Sequence, residues 1–147
     1  MANPRRAREN YAPDFDVQIA DGRQVTLESL HGRVALLDFW GTWCPPCVRA
    51  VPSLRKLAKA HAADAFVILS VSSDKDPKAW SAFTDKNGMV WPQYWDSNGR
   101  MQRTFGVKVF PTSVLLDREG IERLRVSGAG YHESRALADA IEKQIGT

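Results

Sequence analysis

The sequence predicts an α/β domain in which a mixed β-sheet lies between helical layers. Three observations carry that expectation. Two near-continuous apolar runs, VALLDFW at 34–40 and FVILSV at 66–71, read as strands covered on both faces. Each is followed by apolar residues at helical spacing. A hairpin pattern and then a last helical pattern close the chain, an order that places helices against a sheet containing both strand directions.

The elements follow in order. Residues 1–12 are polar and arginine-rich and read as a disordered lead-in, leaving one domain over 13–147. Phe15, Val17 and Ile19 alternate with Asp14, Asp16 and Gln18, the pattern of a half-buried strand, and Asp21-Gly22 turns it into a second strand carrying Val25 and Leu27. VALLDFW is the first buried strand, broken by one acid, Asp38. From Pro45 to about His61, Val48, Val51, Leu54, Leu57 and Ala58 form one helical stripe, with Pro52 inside it. After FVILSV, Pro77 starts a helix with Trp80, Ala82 and Phe83, ending near Asn87-Gly88. Val90–Trp95 suits a short strand, at an edge because of Pro92, and Ser97 can cap a short helix bearing Met101 and Phe105. Ser113–Leu116, a turn at Arg118-Glu119-Gly120 and Ile121–Val126 make an antiparallel pair. Ala136, Leu137, Ala140, Ile141 and Ile145 sit on the final helix.

Composition narrows the function classes. A chain of 147 residues, 44% hydrophobic and 25% charged, can bury a core as one domain without disulfide staples. The net charge of +3 rests largely on Arg5, Arg6 and Arg8, ahead of any folded pattern, so no structured basic face argues for nucleic acid. No apolar run approaches the ~20 residues of a membrane span, so this chain itself is expected to make no membrane contact. MANPRRARENYAPDF lacks the apolar stretch of a secretory signal. That fits a cytoplasmic protein, or equally a domain separated from its targeting segment.

The chemistry concentrates in FWGTWCPPCVRAVPSL, residues 39–54, which holds both cysteines of the chain. A bridge across three positions closes a tiny loop and stabilises little, so the pair matters chemically rather than as a staple. Cys44 follows a buried strand and opens a helix. Pro45 suits the first helical turn, where its missing N–H has no partner to lose. Pro46 also lacks an N–H, so the first amides available to the Cys44 sulfur belong to Cys47 and its neighbours. The helix start favours negative charge and lowers a thiol pKa from its free value of ~8.5. Residue 47 lies one turn on, and both sulfurs can meet on one face. These residues predict an exposed, activated nucleophile at Cys44 and a more buried resolving thiol at Cys47, exchanging a disulfide with a substrate.

Asp38 interrupts an apolar strand six residues before Cys44. Alternation places it on the interior side, beneath the helix, where a carboxyl has a raised pKa and can exchange the proton of Cys47. The other placement is a sheet edge where the acid reaches solvent. Phe110-Pro111-Thr112 precedes a strand, and Pro111 is either a strand start or a cis turn. Zinc usually wants four ligands, and His31, His61 and His132 are scattered, so no metal or other cofactor is expected. Copper(I) can be held by two thiolates, which keeps a copper-handling module as the alternative.

Together these residues resemble the thioredoxin-like thiol–disulfide oxidoreductases. DFWGTWCPPC is similar to that family's strand–active-site–helix junction, VFPTSVLL to its cis-proline loop and Gly128 in VSGAG to the glycine after its last strand. The opening APDFDVQIADGRQVTLESLHGRVALLDFWGTWCPPC resembles the TlpA-like branch, and 73–105 resembles its helix–strand insertion. The resemblance implies a thioredoxin fold with an N-terminal β-hairpin and that insertion. It implies a cis Pro111 facing the sulfurs, substrate contacts at Trp43, Pro45, Phe110 and Pro111, and Trp40 and Trp43 walling the site. It also implies a monomeric reductant of protein disulfides, an upstream electron donor and an extracytoplasmic setting. The peroxiredoxins share the fold and a similar opening hairpin, but their PxxxTxxC pattern is absent: Leu37 and Gly41 stand where it needs proline and threonine before Cys44, and the spacing fails for Cys47.

Overall fold

The computed structural model describes residues 10–146. Its elements are β1 (Asp16–Gln18), β2 (Gln24–Thr26), a short 3-10 turn (Glu28–Leu30), β3 (Val34–Trp40), α1 (Pro45–Ala60), β4 (Phe66–Ser72), α2 (Pro77–Lys86), β5 (Gln93–Trp95), α3 (Arg100–Thr104), β6 (Thr112–Leu116), β7 (Glu122–Ser127) and α4 (Tyr131–Ile145). The main sheet has the order β5-β4-β3-β6-β7, with β1 and β2 forming a separate antiparallel pair. β4 runs parallel to both β3 and β5, whereas β6 is antiparallel to β3 and to β7.

β3 is central, and all seven of its residues are buried. Strand alternation divides them between two cores. Ala35, Leu37 and Phe39 face the hairpin side, with Phe15, Val17, Leu27, Met101 and Phe105. Val34, Leu36 and Trp40 face the other layer, with Val51 and Leu54 of α1 and Leu137 and Ile141 of α4. Fully burying each such aliphatic side chain contributes roughly 1.5–3 kcal/mol, so the tip of β3, where the chain enters the CxxC loop, is anchored from both faces.

Three expectations need correction. Tyr11 and Ala12, read with the lead-in, pack against the domain. Residues 1–9 lie outside the described residues, but Tyr11 bridges Ile121 and Ala12 is buried in the hairpin-side core. Ser97 does not cap the short helix. Asp96 does so, accepting from the amides of Met101 and Gln102 at 3.0 Å each, because Gly99 (φ +68°) turns the chain back over it. β5 starts at Gln93 rather than Val90, since Pro92 has no N–H to donate, though its carbonyl still accepts from Ser70. It is an edge strand, as the proline suggested. α1 runs unbroken through Pro52.

Candidate active site

β3 delivers the chain at Trp40, residues 41–43 lead on from the C-terminal end of this central strand, and Cys44 becomes the N-cap of α1 with Pro45 in the first turn. The Cys47 amide donates to Cys44 Sγ at 3.3 Å, and the Cys44 amide donates to the Gly41 carbonyl at 3.2 Å. Cys44 and Cys47 form a disulfide, with Cα atoms 5.2 Å apart. The first turn of α1 carries no acid to oppose negative charge on sulfur.

From the opposite side comes the loop before β6. The Phe110–Pro111 bond is cis, and Cys44 Sγ lies 3.7 Å from the Phe110 carbonyl oxygen. Two bonds hold the loop: Thr112 Oγ1 donates to the Val109 carbonyl at 2.7 Å, and the Gly128 amide to the Pro111 carbonyl at 2.8 Å. Gly128 has φ +97°, a conformation that glycine adopts without strain. The Trp43 ring meets Phe110 edge-on at 5.5 Å. Trp43 is 58% exposed and Val109 54%, and Pro45 is exposed beside them. The disulfide thus sits beneath an apolar rim.

Cys44 itself is less open than its sequence position suggested. It is 4% exposed and Cys47 2% in this oxidised form. The Phe110 carbonyl oxygen lies over Cys44 Sγ, and both cysteines are buried. Trp40 lies in the same buried apolar cluster as Cys44 and Cys47. It is 1% exposed and packs inward on Phe83.

Asp38 lies on the α1 side of β3, 3% exposed. Its partners across the sheet are Ser70 and Ser113. Ser70 Oγ donates to Asp38 Oδ2 at 2.7 Å and accepts from Trp91 Nε1 at 2.8 Å. Burial pushes the Asp38 carboxyl up from 3.8 to about 6, against the smaller downward pull of the Ser70 bond. No hydrogen bond links it to either sulfur among the described residues. It shares with Pro111 the floor of a cavity of about 300 Å³ between α1 and α4, lined also by Leu54, Leu57, Leu137 and Glu133.

Some of the site was not foreseen. A Cβ at Gly41 would overlap the Trp43 indole nitrogen, so glycine is what lets that ring fold back over the loop. Asp74, 6% exposed, accepts from Thr42 N at 3.0 Å and Thr42 Oγ1 at 2.6 Å. The signal available was an acid just after a buried strand, in SVSSD at 70–74. Among the described residues, no group of three or more His, Cys, Asp or Glu side chains could hold a metal ion.

A CxxC at a helix start, facing a cis-proline on a β5-β4-β3-β6-β7 sheet, defines a thioredoxin-fold domain with its N-terminal hairpin and helix–strand insertion in place. Residues 9–124 match the AhpC/TSA family, and the chain belongs to it. Thiol-disulfide oxidoreductase ResA of Bacillus thuringiensis (strain Al Hakam) is 32% identical over 109 residues, 74% of this chain and 63% of that protein. The thioredoxin-like protein YneN of Bacillus subtilis is 34% identical over 113 residues, 75% of this chain and 65% of that protein. The chain therefore spans less than two thirds of the length of these relatives. The crystal structure of a candidate thiol:disulfide interchange protein DsbE from Chlorobium tepidum superposes with a TM-score of 0.87 at 31% identity, covering 93% of this chain and 96% of that one.

Proposed function

We propose that the chain is a protein thiol–disulfide oxidoreductase of the TlpA-like kind, working as a reductant. The observation that carries this is the Cys44–Cys47 bridge at the N-terminus of α1, with the Cys47 amide on Cys44 Sγ and the cis-proline loop over it. The thiol–disulfide names of its relatives and the opening hairpin with its insertion support the same reading.

In the reduced protein the Cys44 thiolate attacks one sulfur of a substrate disulfide. A bond forms between Cys44 and that sulfur, the substrate S–S bond breaks, and the second substrate sulfur leaves as a thiolate that takes a proton. Cys47 gives up its proton, with the buried Asp38 carboxylate as acceptor through an intervening water, and attacks Cys44 Sγ. The Cys44–Cys47 bond forms, the mixed disulfide breaks, and the substrate leaves with both sulfurs reduced. Two electrons have moved to the substrate, so an upstream dithiol donor must restore them. Trp43, Pro45 and Val109 offer apolar contact to a polypeptide, and the Phe110 and Pro111 backbone lies where an extended substrate segment would pair. The groups named all belong to one chain, which is compatible with a monomer as the working unit.

The test is reduction of insulin disulfides. Cys44→Ser abolishes turnover, while Cys47→Ser accumulates mixed disulfides visible on non-reducing gels. A Cys44→Ser protein that still turns over defeats the assignment. Measurement of the Cys44–Cys47 potential separates directions: a value toward the thioredoxin end of the ~−270 to −120 mV range fits a reductant.

A further inference from the structure

Three residues, Gly41, Thr42 and Trp43, carry the chain from the rigid tip of β3 to the reactive sulfur. What holds them comes from a different loop, the one that leaves β4 for α2. The Thr42 amide donates to both carboxylate oxygens of Asp74, at 3.0 and 3.2 Å, and Thr42 Oγ1 donates to Oδ1 at 2.6 Å. Asp74 is itself tethered. Ser72 Oγ donates to its Oδ2 at 2.6 Å, its own amide donates to Ser72 Oγ at 3.0 Å, and its carbonyl accepts from Trp95 Nε1 at 2.6 Å. Ser73 adds a second attachment. Its amide and hydroxyl both donate to the Trp40 carbonyl, at 2.9 and 3.1 Å, and its hydroxyl accepts from Trp43 Nε1 at 3.2 Å.

We infer that Asp74 is a positioning residue for disulfide exchange, clasping Thr42 so that Cys44 and the Trp43 ring keep their places against the Phe110–Pro111 loop. The inference rests on the oxidoreductase reading. A buried carboxylate that takes three donors, two of them from one loop residue, over-determines that residue's position. The loop is too short to take up a shift at Thr42 without passing it to Cys44. The Cys44 amide bond to Gly41 and the Trp43 indole bond to Ser73 span the same three residues. The clasp therefore sets two things at once: the line of approach to Sγ, and the apolar rim that receives the substrate. Reaction rates respond steeply to such placement, since misplacement by about 1 Å can cost ~100-fold.

Asp74→Asn keeps the shape but replaces one acceptor oxygen with an N–H donor, so one donor from Thr42 or Ser72 loses its partner. In the reduced protein, iodoacetamide alkylation of Cys44 in a Cys47→Ser background reads the attacking sulfur without requiring turnover. The Trp43 share of the emission, taken as the difference from a Trp43→Phe protein because the chain holds five tryptophans, reads the rim. Asp74→Asn is expected to shift the pH profile of Cys44 alkylation, to change Trp43 emission and to slow insulin reduction by about tenfold. Thr42→Ser keeps both donors and keeps all three readouts, whereas Thr42→Val loses the hydroxyl donor and falls between. In a double-mutant cycle, Asp74→Asn with Thr42→Val slows attack by less than the product of the single effects. If wild-type protein reduces insulin and Asp74→Asn matches it in rate, alkylation profile and emission, the clasp is wrong and the oxidoreductase reading stands. If wild-type protein does not reduce insulin, that reading fails, and alkylation and emission still decide the clasp. Should Asp74→Asn not fold, the Thr42→Val and Thr42→Ser pair decides it, with equal profiles overturning the proposal.

Discussion

Asp38→Asn should change the pH dependence of stability, with a sign that follows from burial. In the folded protein the Asp38 carboxyl is pushed up from 3.8 to about 6. Between those values the folded state holds a proton that the unfolded chain has released, so stability falls as pH rises through this window and is level above it. The upward displacement of roughly two pH units corresponds to about 3 kcal/mol at ~1.36 kcal/mol per unit. Asparagine has no proton to lose. Its amide can still accept from Ser70, but its N–H₂ replaces a carboxyl oxygen in an apolar setting, a pH-independent cost of about 1–3 kcal/mol. Asp38→Asn should therefore be the less stable protein near pH 3.5, and should gain on wild type by about 3 kcal/mol by pH 7.5. Urea unfolding of the oxidised proteins across that range measures the gap, and the other carboxylates cancel in the difference. A gap that stays constant, or moves toward wild type as pH rises, refutes the assignment of Asp38 as a desolvated acid.

Two further outcomes follow from the same geometry. Ser70→Ala removes the one bond that lowers the Asp38 pKa, so the Asp38 ionisation midpoint should rise above about 6, as read by carbon NMR of the carboxyl. A fall in that midpoint would mean that the Ser70 bond stabilises the protonated form. Gly41→Ala puts a methyl where the Trp43 indole nitrogen lies, forcing the ring from Phe110. Trp43 is largely exposed, so the ring can swing outward with little loss of stability, and KM for insulin should rise more than kcat falls. Unchanged Trp43 emission would show that the ring does not rest on Gly41.

Much of the architecture was legible because its causes are local. Alternation along VALLDFW is enough to assign Asp38 to the α1 side, since period two leaves one choice once Leu36 and Trp40 are known to face that helix. Pro45 after Cys44 marks the start of α1, and the prolines leave the Cys47 amide as the donor to Cys44 Sγ. Other features depend on segments far apart in sequence. Ser97 satisfies the local rule for a cap, yet Asp96 performs it, because the turn at Gly99 decides which side chain reaches the free amides.

By itself the sequence determined the order and type of the strands and helices, the face each buries and the two sulfurs that meet at the head of α1. These depend on side-chain period and on backbone rules that act within one turn of chain. Only the tertiary structure decided that the Phe110 carbonyl lies against Cys44 Sγ, that Ser70 reaches Asp38 and Trp91 reaches Ser70, and that Asp74 holds Thr42. Each joins residues 21 to 66 positions apart, and such pairings exist only once β3, β4 and β6 lie side by side in one sheet.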